Sequence, residues 1–250
     1  MINPLEMSGR TVLITGGSSG IGLACGVLLS RLGARVLLLA RDTKRLEQAR
    51  DQLHGANHQV YSFDLEDLDA IPNFSSAIRT EIGAISAVVH AAGIHSAMPL
   101  PFTTLADSRR MMNINFHAGA ELSRAFCKKG ALQTPASILF VSSVMAHVGQ
   151  SAVSLYAASK GAINAFSRSL AVELSDRKIR VNCVAAGMIQ TPLTDRLFRS
   201  LSESQRTAIE SKHLLGIGSP DDVALAVAYL LASPWVTGST LFVDGGYSAH

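Results

Sequence analysis

Seven short apolar runs punctuate the chain, at Thr11–Thr15, Arg35–Ala40, Gln59–Phe63, Ala87–Ala91, Ser137–Ser142, Arg180–Val184 and Thr240–Val243. Most are apolar at successive rather than alternate positions, the pattern of strands covered on both faces of a parallel sheet. Longer stretches with apolar residues three and four apart lie between them and predict helices over Ile21–Leu32, Thr43–Leu53, Leu105–Lys129, Leu155–Ser175 and Pro220–Ala232. Asp67–Thr80 has a weaker helical pattern that Pro72 interrupts. Strands alternating with helices through right-handed crossovers predict an α/β fold, a doubly wound parallel seven-stranded sheet with helices on both faces. No internal repeat, low-complexity tract or Pro/Ser linker marks a boundary, so residues 1–250 are expected to form a single domain. The polar, Ser/Arg-rich stretch Met188–Gly218 breaks the rhythm. It follows the sixth strand, at the sheet edge where ligands bind in such folds, and is expected to be a substrate lid rather than an ordinary surface helical hairpin.

Composition narrows the function classes. Of 250 residues, 48% are hydrophobic and 16% charged, against roughly 25% charged in an average domain. Disorder and a coiled coil are excluded on that ground. A net charge of +3 with no long basic run argues against nucleic acid as a partner. Cys25, Cys127 and Cys183 are odd in number and widely spaced, which suits a reducing compartment with no disulfide framework or metal site. Met1–Arg10 has no apolar signal-peptide core, and the longest apolar stretch, Val223–Ala232, is half a membrane span. The expectation is a soluble, cytoplasmic protein without membrane contact.

The first strand runs into Thr15-Gly16-Gly17-Ser18-Ser19-Gly20-Ile21-Gly22 and then a helix. Glycines at 16, 20 and 22 allow a sharp turn and close approach to a pyrophosphate, and the helix N-terminus offers N–H groups and positive dipole to it. Leu23 after Gly22 excludes a P-loop, which needs Lys-Ser/Thr there. The context is that of a Rossmann-type dinucleotide fold. At the tip of the second strand stands Arg41, where an acid would bond the adenosine ribose and repel a 2′-phosphate. Its planar fork can grip a phosphate, so NADP(H) is expected over NAD(H), unless Arg41 merely pairs with Asp42.

Tyr156 and Lys160 lie four residues apart, one turn on the same helix face, and Ser143 precedes Tyr156 by thirteen residues at the end of the fifth strand. A nearby ammonium is expected to lower the phenol pKa and make Tyr156 a usable proton donor and acceptor. Ser143 can hydrogen-bond a substrate oxygen that gains charge during hydride transfer.

On these motifs the chain, from Thr11 to Val243-Asp244-Gly245-Gly246, resembles the short-chain dehydrogenase/reductase family, and within it the β-ketoacyl-ACP-reductase-like branch. The resemblance places the family's T-G-x-x-x-G-x-G on Thr15–Gly22 and its catalytic Asn, Ser, Tyr and Lys on Asn115, Ser143, Tyr156 and Lys160. It implies a water held by Asn115 in a proton relay through Lys160 to Tyr156. Cofactor contacts are implied for Gly16, Ser18, Ser19, Gly20, Ile21, Arg41, Asp64, Leu65, Ala91, Gly93, Tyr156, Lys160, Ile189 and Thr191, with Asp64 equally readable as a local turn residue. The sequence departs from the pattern in three places. His90-Ala91-Ala92-Gly93 replaces N-N-A-G, Ala186-Gly187 replaces P-G, and Gly119 comes one position late after Asn115.

The activity implied is NADPH-dependent reduction of a ketone to a secondary alcohol, with a 3-oxoacyl thioester on an acyl carrier protein as the branch's substrate. The alternatives are a dehydrogenase/reductase of a small cyclic, sugar or steroid-like compound, and a non-catalytic NADP-binding regulator, which the intact catalytic four disfavour. His95, His147, Gln150 and Met188 are expected near the pocket mouth. Arg177, with Lys128 and Lys129, match positions where carrier-dependent reductases meet an acidic carrier, and are otherwise ordinary helix-terminal cations. The resemblance also implies a homotetramer, packed through the long helices with Ala158, Ala162 and Ala165 and the C-terminal strand.

Overall fold

The computed structural model describes residues 3–199 and 201–249. Met1, Ile2 and His250 of the expected domain, and Ser200 within the expected lid, lie outside the described residues. In chain order the elements are β1 (Thr11–Thr15), α1 (Gly20–Arg31), β2 (Arg35–Ala40), α2 (Thr43–Arg50), β3 (Gln59–Ser62), α3 (Ile71–Ile82) and β4 (Ile85–His90). They continue with α4 (Leu105–Met112), α5 (Ala118–Phe126), β5 (Leu132–Ser143), α6 (Ser154–Glu173), β6 (Ile179–Ala186), α7 (Pro192–Arg199), α8 (Glu203–Glu210), α9 (Pro220–Ala232) and β7 (Thr240–Val243). The strands form one parallel seven-stranded sheet in the order β3-β2-β1-β4-β5-β6-β7. Strand order reverses at β1/β4, which opens a crevice beyond their carboxyl ends.

The unbroken apolarity of the strands follows from burial on both faces. Leu13, Leu37, Leu39, Val88, Ile138 and Cys183 join one core, under α3, α5 and α6. Their chain neighbours Val12, Val36, Leu38, Val89, Leu139 and Val184 join the other, under α1 and α9. Each such side chain removed from water contributes roughly 1.5–3 kcal/mol, so exposing either face would be costly.

Two helical expectations are corrected. Pro72 does not interrupt a helix but sits in the first turn of α3, where the missing N–H has no helical partner to lose. The single helix expected over Leu105–Lys129 is two helices joined by a π turn at Asn113–His117, and it ends at Phe126. Gly119 belongs to this junction: a Cβ there would stand 3.1 Å from the Phe140 ring, so its late position admits close packing of α5 on β5. Among the described residues no helix is long and apolar enough to cross a membrane, and no group of three His, Cys, Asp or Glu is placed to hold a metal.

Candidate active site

The β1–α1 turn is shaped by close backbone contacts. Gly16 has φ +68°, and a Cβ there would lie 2.9 Å from the Ala92 backbone. A Cβ on Gly22 would lie 2.4 Å from the Gly16 carbonyl oxygen. At the start of α1, Ser19 makes no side-chain cap and the first turn holds no acid, so the positive helix end is left for an anion. The cleft in front of it has a volume of about 1220 Å³. It is lined by Gly16, Ser18, Ser19, Gly20, Ile21, Arg41, Asp64, Leu65, Ala91, Gly93 and Thr191, which the structure thereby brings together. This glycine cradle with an uncapped helix end fits a dinucleotide pyrophosphate. Asp64 is also the turn residue, its Oδ1 accepting from Glu66 N at 3.0 Å.

Arg41 does not pair with Asp42, which instead caps α2 by accepting from Arg45 N at 3.0 Å. Its neighbour is Glu66, 3.9 Å from Nη1 and shared with Arg110 at 3.1 Å. Arg45 and Arg196 line the same cleft. Glu66, Arg110 and Arg196 were not legible as site residues, because they come from the β3–α3 connection, α4 and α7 rather than from a motif.

The adjoining cleft, about 980 Å³, holds Ser143, Tyr156, Lys160 and Ile189, with Gly187, Met188 and Tyr247 on its far wall. Ser143 ends β5 and Tyr156 stands in the first turn of α6, which brings both side chains to the wall of this cleft, and Ser143 Oγ accepts from Met145 N at 3.2 Å. Lys160, one turn on and 5% exposed, donates from Nζ to the Val141 carbonyl at 2.9 Å. Its Nζ lies 5.8 Å from the Tyr156 ring centroid. Burial drives the Lys160 pKa down to about 8, opposed by the Cys183 charge. The expected depression of the Tyr156 pKa by Lys160 is corrected: burial raises it, and it is the neighbouring Ser143 hydroxyl that opposes the rise. The ammonium is tied to Val141, so the serine does the local tuning.

Asn115 lies in the π turn, 3% exposed, behind Gly93. Its Oδ1 accepts from Ile94 N at 2.8 Å, and Nδ2 donates to Ile94 O and Ser159 Oγ, both at 3.0 Å. The side chain therefore clamps the β4 loop to α6. His90 fills the space of the missing asparagine by stacking on Phe140 at 4.7 Å, and burial lowers its pKa to about 3, which keeps it neutral.

His95, Gln150 and Met188 line the reaction cleft as expected. His147 does not: its Nε2 accepts from Asn164 Nδ2 at 2.7 Å and its ring packs on Phe242. Arg177, Lys128 and Lys129 do not border this chain's own cleft. They precede β6 and β5, at the amino edge of the sheet, and a helix of twenty residues, about 30 Å, separates Arg177 from the Tyr156 end of α6. The stretch expected as a lid supplies α7 and α8, and its Leu193, Thr194, Leu197 and Ile209 line the cleft.

A doubly wound parallel sheet with a glycine cradle at its switch point and Ser143, Tyr156 and Lys160 in the next cleft defines a nucleotide-dependent oxidoreductase. A family model described as enoyl-(acyl carrier protein) reductase matches residues 16–248. A 3-oxoacyl-[acyl-carrier-protein] reductase of Bos taurus is 36% identical over 95% of this chain and 97% of its own. Carbonyl reductase family member 4 of Danio rerio is 33% identical over the same shares. Among solved structures, one of a putative NAD(P)-dependent gluconate 5-dehydrogenase from Beutenbergia cavernae, with bound NADP, superposes with a TM-score of 0.90 at 29% identity, covering 99% of this chain and 100% of that one. The chain belongs to the short-chain dehydrogenase/reductase family, an oxidoreductase of the kind that binds NAD(P) and acts on CH–OH and C=O groups.

Proposed function

We propose that this protein uses NADPH to reduce a ketone to a secondary alcohol, and that its substrate is a 3-oxoacyl thioester. The observation that carries the reading is that Ser143 and Tyr156 line one cleft together, with Lys160 buried one turn behind the tyrosine. Two hydroxyls can serve one substrate oxygen, the arrangement carbonyl reduction needs. When bound, the cofactor supplies the hydride. Ser143 donates to the carbonyl oxygen as charge builds there. Tyr156, kept protonated at neutral pH by its raised pKa, gives the proton. Lys160 would hold the cofactor ribose hydroxyls, Asn115 fixes the loop carrying Gly93, and Ile189 and Thr191 would border the nicotinamide. Arg41 and Arg45 receive the 2′-phosphate. The protein is read as cytoplasmic.

Assembly as a homotetramer is supported by α6, where Ala158, Ala165 and Val172 are exposed seven residues apart, and by Trp235 and Phe242, exposed near β7. An isologous antiparallel pairing of α6 would bring the basic patch of Arg177, Lys128 and Lys129 from one copy beside the cleft of the next, which is where an acyl carrier protein would dock. A second reading, oxidation or reduction of a small sugar-like compound, is favoured by the solved gluconate 5-dehydrogenase-like neighbour. The test is NADPH and NADH oxidation against an acetoacetyl thioester, a cyclic ketone and a keto sugar acid. Turnover of the thioester with NADPH supports the proposal. Exclusive turnover of the keto acid establishes the second reading, and none on any of them refutes both.

A further inference from the structure

His95 has no part in the mechanism above. It leaves β4 just after Gly93 and Ile94 and stands where the reaction cleft opens into a second groove of about 1360 Å³. The ring is edge-on to Tyr156, with centroids 4.6 Å apart and planes at 66°. His58, His90, His147 and His213 each have a ring nitrogen in a hydrogen bond, whereas His95 makes none with another described residue. Beyond it the groove is of mixed character, walled by Met98, Met111 and Leu155 and by Asp107, Arg110 and Arg196. A substrate with its carbonyl at Ser143 and Tyr156 and its thioester arm directed into the groove thus passes an unpartnered imidazole.

We propose that His95 is a specificity-determining residue, which hydrogen-bonds a second substrate oxygen in 1,3 relation to the reacting carbonyl and so selects 3-oxoacyl thioesters over ketones that lack that oxygen. The inference rests on the ketone-reductase reading. Burial first, and the Lys160 charge second, hold the His95 pKa below the ordinary imidazole value, so the ring is neutral at pH 7 with one N–H to donate. The oxygens of a 1,3-dicarbonyl lie a few ångströms apart, the separation of two side chains in ring contact. A substrate without the second oxygen leaves that N–H unpaired in a partly dry cleft, which a polar-lined site penalises.

The experiment compares acetoacetyl-N-acetylcysteamine with the thioether in which CH₂ replaces the thioester carbonyl. Wild type, His95→Phe, which keeps the ring contact, and His95→Asn, which keeps a donor, are assayed with both. His95→Phe is expected to lower kcat/KM on the thioester about tenfold, mainly through KM, and to leave the thioether within about twofold, with His95→Asn recovering much of the loss. Equal losses on both substrates, or none on either, overturn the proposal. In the wild type the two product alcohols, free of any difference in carbonyl reactivity, should inhibit with constants about tenfold apart. Equal constants overturn the proposal without reference to any variant. A wild type that turns over the thioether as readily as the thioester refutes the role of His95 alone, and one that reduces neither refutes the ketone-reductase reading with it.

Discussion

Lys160 is a buried ammonium in a largely apolar core, and Lys160→Met tests what that burial does. In the unfolded chain the lysine titrates near 10.5, and in the folded protein burial lowers this to about 8. Below pH 8 it is protonated in both states, and the folded state carries the full desolvation penalty. As pH rises from 8 to 10.5 the folded protein releases the proton while the unfolded chain keeps it, so stability rises with pH. Above 10.5 both forms are neutral and the penalty is gone. At 1.36 kcal/mol per pH unit, the wild type should gain roughly 2–3 kcal/mol between pH 7 and 10 relative to Lys160→Met. Loss of the bond to Val141 shifts the variant's curve by a constant and leaves this difference alone. Cys183 titrates at about 11, above the window. The assay is urea unfolding of both proteins at equal concentration, at half-unit steps from pH 7 to 10. Parallel curves would show that Lys160 is solvated in the folded state, and the reasoning would fail. Activity should follow the opposite course, declining above about pH 8 as the ammonium is lost.

Tyr156→Phe should lower kcat by about 100- to 10,000-fold with the Kd for NADPH little changed, measured by stopped-flow oxidation and fluorescence titration. Arg41→Asp should reverse a preference for NADPH of ten- to a hundredfold, from a phosphate contact of roughly 1.5–3 kcal/mol. Glu66→Gln, which removes the competing carboxylate 3.9 Å from Arg41, should instead strengthen that preference by about two- to fivefold in kcat/KM. Gly22→Ala sets a methyl group against the Gly16 carbonyl and should cost about 1–3 kcal/mol in thermal unfolding, together with a raised KM for the cofactor.

What was legible in the sequence divides along a physical line. The strands were readable because each of their faces meets a helical layer, so that Val12, Leu13 and Ile14 are all apolar although they point to opposite cores. The glycine turn and the Tyr156–Lys160 pair were readable because a turn and one helical repeat are local geometry. The π turn at Asn113–His117 was not, since one inserted residue hardly disturbs helical periodicity over two dozen positions. Its signal lay in the contacts that Asn115 makes with Ile94, twenty-one residues away, which periodicity does not carry. Arg177 misled for a related reason. Twenty-one residues after Tyr156 is close in sequence, but along α6 it is the length of the sheet.

The polar residues of the candidate site are those that the hydrophobic pattern cannot explain. Asn115, Ser143, Ser159 and Lys160 are all buried, and a buried polar group costs about 1–3 kcal/mol when its bonds are unmade. Here Asn115 is bonded at both ends, Ser159 donates to Tyr156 O at 2.7 Å, and Lys160 finds Val141. These bonds join β4, the π turn, β5 and α6 into one frame around Tyr156. Three side chains with capacity to spare, Ser143, Tyr156 and His95, face the cleft. Ser143 Oγ accepts from Met145 N and keeps its own proton for a substrate oxygen, Tyr156 stands beside it in the cleft, and His95 has nothing to bond until a substrate arrives. Satisfied polar groups behind, and underused ones in front, are what distinguish a reaction cleft from a cavity left by packing.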